Sequence, residues 1–221
     1  LAALGAASAA LAAQPEAWRI GLQDPANALA VDANNFHTLV TILSFLIALF
    51  VVALLAYVMW RFSASRNPVP STVTHNTTIE VLWTVIPVAI LVIMAIPSIN
   101  LLYAYDKTQD AELTIKAVGH QWYWSYEYPD NGNFTFDAYM AGQGGTPLDP
   151  GQVRLLSTDN PVVLPIDTRI RVLVTATDVL HAWAVPAFFN KIDGIPGRAN
   201  QLLIDKVTKA GTYYGQCSEL C

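Results

Sequence analysis

Charge is scarce in this chain. Asp, Glu, Lys and Arg make up 13% of its 221 residues while 53% are hydrophobic. That is too apolar for an ordinary soluble domain and too short for a large transporter. Two stretches lack these residues altogether: no Asp, Glu, Lys or Arg lies between Asp32 and Arg61, or between Glu80 and Asp106. A basic excess is missing too. The net charge of −5 argues against nucleic acid and favours a basic partner. Cysteine is almost absent, with Cys217 and Cys221 the only two. There is therefore no CxxC pair, the frequent source of zinc thiolates. No internal repeat is visible.

The uncharged stretches read as membrane spans. Residues 36–60 and 79–105 are nearly all apolar, and each exceeds the roughly 20 residues that cross a bilayer. Pro87 and Pro97 fall inside the second, where a membrane helix tolerates them because neighbours re-satisfy the freed carbonyls. Trp60, Trp83, Tyr103 and Tyr105 stand near the ends, as interfacial aromatics do. The loop 61–78 carries Arg61 and Arg66 and no acid, so it is expected in the cytoplasm. Residues 14–35 and everything from 106 onward are then expected on the other side. The Leu/Ala run 1–13 reads as the remnant of a signal peptide.

From Asp106 the pattern turns to short β runs. Residues 113–118 alternate, 134–139 are strand-like, 170–177 give the clearest strand, and 201–207 and 211–216 complete the set. Pro129-Asp130-Asn131-Gly132 and the Gly-rich 142–147 punctuate them. Closely spaced strands in so small a domain imply a sandwich or barrel. The expected fold is two transmembrane helices in a hairpin, then an all-β domain over 106–221.

Chemistry gathers at the end. Cys217-Ser218-Glu219-Leu220-Cys221 offers two thiols, and Asp178-Val179-Leu180-His181-Ala182-Trp183 an imidazole. Such donors make a soft site suited to copper or zinc. A disulfide is the plain alternative, but across so short a loop it removes little chain entropy and leaves His181 unexplained. Trp122-Tyr123-Trp124 reads either as sheet packing or, where an indole is exposed near copper, as a docking surface for a haem edge. Glu80, the one acid beside the second span, either stabilises a helix start or marks a proton route.

Gly119-His120-Gln121-Trp122-Tyr123-Trp124-Ser125-Tyr126-Glu127-Tyr128, the segment 178–183, Ile195-Pro196-Gly197-Arg198, and Tyr214-Gly215-Gln216 followed by the cysteine loop together resemble subunit II of cytochrome c oxidase. The resemblance implies a cupredoxin-like barrel with a binuclear copper centre, CuA, and a separate subunit I that holds the haems and reduces oxygen with proton pumping. It implies that Cys217 and Cys221 bridge the coppers, that His181 caps one, and that Glu219 donates its backbone carbonyl. By the same resemblance the Glu219 side chain reaches a magnesium ion at the boundary with subunit I, with Asp193 and Arg198 near that interface. Trp122 would be the electron entry point, and Glu127, Asp159 and Asp178 the acids that attract cytochrome c. Glu80 would stand at the cytoplasmic mouth of a proton pathway. Expected partners are cytochrome c, subunit I, subunit III and the lipid bilayer. The expected location is a bacterial inner membrane, with the copper domain on the periplasmic side.

The family pattern continues past the second cysteine with Gly-x-x-His-x-x-Met, so this sequence is expected to be truncated at its C-terminus. A quinol oxidase subunit would lack the cysteines and His181. Nitrous oxide reductase would lack the spans. A membrane-tethered copper chaperone or thiol protein would need neither Trp122 nor Glu80.

Overall fold

The computed structural model describes residues 11–221. They form two compact units, one taking in Leu102–Cys221 with the segment up to Asn34, the other Asn35–Leu101. The expectation of a signal remnant at 1–13 falls mostly outside the described residues. Its last three, Leu11–Ala13, form a short strand β1.

Helix α1 spans Ala28–Arg61 and α2 spans Thr77–Tyr105. At 1.5 Å per residue they are about 51 and 44 Å long, against roughly 30 Å of hydrocarbon. Both are long and apolar enough to cross a membrane. α1 begins well before the apolar run because Asn27 caps it: its Oδ1 accepts the N–H of Ala30 at 2.8 Å, satisfying a donor that the first turn cannot. Asn76 does the same for α2 through the N–H of Ile79. Glu80 falls in the first turn of α2, where the dipole favours a carboxylate.

The other unit is built of strands. A five-stranded sheet has β2 (Leu113–His120) at its centre, with β3 (Tyr123–Tyr128) antiparallel and β5 (Ile170–Ala176) parallel to it. Outside these lie β4 (Phe134–Ala138) and β8 (Asn200–Ile204). A second sheet sets β6 (His181–Val185) between β7 (Asn190–Gly194) and β10 (Gln216–Cys217). β1 pairs in parallel with β9 (Thr212–Tyr213). Alternation along β5 buries Ile170, Val172, Val174 and Ala176. Ile170, Val172 and Val174 form one core with Ile115, Trp183, Val185, Phe188 and Ile204. Every residue of β6 is buried, so it carries no period-two signal to read in the sequence.

Two features of this topology place the site. Register pairs His120 with Tyr123, leaving Gln121 and Trp122 as the tip of a tight β2–β3 hairpin. On the second sheet Cys217 pairs with Trp183 of β6. The chain leaving β10 therefore runs back past His181, the first residue of that strand.

Candidate metal centre

His181, Cys217 and Cys221 meet: one ligand atom from each lies within 4.8 Å of the others. The two Sγ atoms are 3.7 Å apart, far beyond the roughly 2.05 Å of a disulfide, and both cysteines are free. Cys217 Sγ stands 3.8 Å from His181 Nδ1 and 3.8 Å from the carbonyl oxygen of Glu219. Burial, then the neighbouring Cys217, push the Cys221 thiol up. Two adjacent thiols resist joint ionisation, and a cation between them removes that resistance. The soft donors and their spacing thus fit a copper site.

The imidazole is held from outside. His181 is only 1% exposed, and its Nε2 lies 2.8 Å from Asp178 Oδ1. That hydrogen bond, against opposing desolvation, holds the Asp178 carboxyl down to about 2, with help from the N–H groups of Val179 and Gln121. An ionised carboxylate only accepts, so the proton sits on Nε2 and the lone pair of Nδ1 faces the thiols. A carboxylate behind a ligating imidazole is the usual way to fix its tautomer and orientation. Trp124 closes the far side, its ring edge-on to His181 at 5.9 Å, while packing against the core.

The hairpin tip reaches the cysteine loop directly. The indole N–H of Trp122 donates to the carbonyl of Cys221 at 3.0 Å, and the Gln121 side-chain amide donates to the same oxygen at 3.0 Å. Trp122 itself is 66% exposed. One side chain thus touches both the solvent and the donor cluster.

The remaining residues expected to act lie outside the cluster. Lys116 Nζ sits 3.2 Å from Glu127 Oε2 across the β2–β3 ladder. Such a half-exposed pair contributes about 0–1 kcal/mol to stability, and the Lys116 charge offsets part of the Glu127 field. Asp159 Oδ1 accepts the N–H groups of Tyr139 and Asn160, fixing its loop. The Glu219 side chain is exposed, and its Oε1 accepts the Leu220 N–H. Asp193 and Arg198, with Lys191, line an open groove of about 550 Å³. Glu80 lies in the other unit. His120 is no part of the donor cluster: its two ring nitrogens meet Ser125 Oγ at 3.0 Å and Thr177 Oγ1 at 2.8 Å.

Sequence reasoning missed Gln121 and the hold of Asp178 on His181. The second had a signal in the Asp-x-x-His spacing. Gln121 had none, because a partner 100 residues away is visible only in the fold.

The comparisons agree with this architecture. Residues 113–221 match the family model described as cytochrome c oxidase subunit II, periplasmic domain, and residues 15–101 match the transmembrane domain of the same subunit. A probable cytochrome c oxidase subunit 2 of Rickettsia bellii is 47% identical over 210 residues, covering 95% of this chain and 77% of the relative. The cytochrome c oxidase subunit 2 of Chondrus crispus is 47% identical over 211 residues, covering 93% and 82%. A crystal structure of the periplasmic domain of subunit II of cytochrome oxidase of Bradyrhizobium japonicum is 56% identical over 50% of this chain and 75% of that one, with a TM-score of 0.45. The chain belongs to the cytochrome c oxidase subunit II family, membrane-embedded subunits of an oxidoreductase complex that act together with other oxidase subunits.

Proposed function

We propose that this chain takes electrons from cytochrome c at a CuA centre and passes them to the haem of subunit I. The observation that carries this reading is the meeting of His181 Nδ1 with two free thiols under an exposed indole bonded to the Cys221 carbonyl. Cys217, Cys221 and His181 would hold the copper ions, and the Glu219 carbonyl faces the same space. A copper pair held there would supply one-electron chemistry with little change of geometry. The chain's own residues do the rest. Asp178 fixes the His181 tautomer, Trp124 excludes water from the ring's far side, and Trp122 offers its π face to an incoming haem edge. A near-infrared band from a mixed-valence copper pair in the full-length oxidase tests this, and its absence from a copper-loaded preparation would refute it.

Glu127, Asp159 and Asp178 are proposed to steer the lysine-rich face of cytochrome c, an effect on association rate more than on affinity. Glu127→Gln and Asp159→Asn are expected to slow the reaction at low salt, with the loss fading as screening tightens to roughly 8 Å near physiological ionic strength. Asp178→Asn is expected to keep a residual loss at high salt, because the carboxylate also orients His181. Stopped-flow traces across a salt series separate the two contributions.

The Glu219 carboxylate is proposed to reach a magnesium ion at the boundary with subunit I, and subunit III to join the assembly. The domain division proposed is a periplasmic 14–35, spans over 36–60 and 79–105, a cytoplasmic 61–78 and a copper domain from 106, in a bacterial inner membrane. In this arrangement Glu80 stands at the cytoplasmic end of the second span, at the mouth of a proton pathway. Glu80→Gln is expected to slow proton-coupled reduction of the catalytic haem more than electron entry at the copper domain. Slower entry with unaltered later steps would make Glu80 a helix-start residue only.

A further inference from the structure

We infer that Gly119 is the positioning residue that sets where the His181 imidazole stands relative to the two thiols. The inference rests on the proposed ligand role of His181. Gly119 lies on β2, opposite Trp124 and Ala176 in the sheet, where the five-stranded sheet comes against the first residue of β6. A Cβ built on it would lie 2.7 Å from His181 Cγ, 2.8 Å from Cδ2 and 2.9 Å from Cβ. These are the root and near edge of the side chain, not a far end that can swing away.

The ring has no room to retreat in place. Trp124 stands edge-on to it, Asp178 holds Nε2, and β7 fixes its backbone through the pairing of His181 with Gly194. To regain ordinary contact with an added methyl it must withdraw by roughly 0.7 Å, more than three times the ~0.2 Å within which metal–ligand distances hold. The backbone at Gly119 is ordinary strand, so alanine meets no conformational barrier there. Its one cost is the collision with the imidazole. The missing side chain of Gly119 thus lets the imidazole pack close against the sheet with its donor nitrogen near both sulfurs.

Gly119→Ala in the assembled oxidase is expected to shift the near-infrared band and the nitrogen hyperfine coupling of the copper centre. Copper retention against a chelator should fall about 10–100-fold, the usual cost of losing a group that orients a metal ligand. Val172→Ala, a buried core change opposite Ile115, four residues along β2 from Gly119, is expected to lower thermal stability without moving either spectrum. Gly119→Ala with unaltered spectra would overturn the inference. If that variant fails to accumulate, the change is repeated in a His181→Gly chain, which has no side chain to strike. Membrane levels of the chain equal to those of His181→Gly alone support the collision, and a further drop overturns it. His181→Gly also separates the two readings: an intact copper spectrum there would refute the ligand role, whereas its loss beside an unaltered Gly119→Ala spectrum would refute only the role of Gly119.

Discussion

Cys217→Ser in the assembled oxidase is expected to abolish the dicopper spectrum and electron entry while leaving the fold standing. A serine hydroxyl is a hard donor that stays protonated near neutral pH, so it neither bridges two coppers nor competes for a soft ion. The fold has little stake in the sulfur. Cys217 ends a two-residue strand and is half-buried, so the stability cost should be about 1 kcal/mol or less. Cys221→Ser should match it in copper loss, since its Sγ lies beside that of Cys217. Metal analysis with near-infrared absorption checks both. A normal dicopper spectrum in either variant would refute the bridging role of that cysteine. Chelation of the native centre should also make the protein take up protons, because burial and the adjacent Cys217 raise the Cys221 thiol and bound copper is what keeps both sulfurs ionised.

Those two sulfurs were legible in the sequence because they are its only cysteines, four positions apart. The spans were legible for a similar reason, as gaps in the charge pattern. The start of α1 was not, since it is set by the Asn27 cap rather than by hydropathy. β5 was plain because one face is buried and the other is not. β6, which carries His181, was hidden by its burial on both faces, and β7 by its polar composition. The acids show the limit most clearly. Read along the chain, Glu127, Asp159 and Asp178 are three equivalent carboxylates. In the fold they face a lysine, two backbone amides, and an imidazole. Partners of that kind are fixed by strand register and loop path, which local pattern does not encode.

Trp122→Phe is expected to slow electron entry severely, because the hydrogen-bonded path from the exposed ring to the Cys221 carbonyl is cut. Copper content and affinity for cytochrome c should stay near normal. Phenylalanine keeps an aromatic face at the hairpin tip, so the surface offered to a partner changes little. It has no N–H, so the contact from Trp122 to the Cys221 carbonyl disappears. The carbonyl is not left adrift, because the Gln121 amide still donates to it, and the cysteine loop keeps its position. The variant therefore separates conduction from architecture, breaking the link between the exposed ring and the donor cluster without moving either. Gln121→Ala is the complement: it loosens the loop but keeps the indole contact, and should cost far less in rate. Rapid-mixing reduction of the copper centre by cytochrome c reads both. An unchanged rate in Trp122→Phe would take Trp122 out of the electron route.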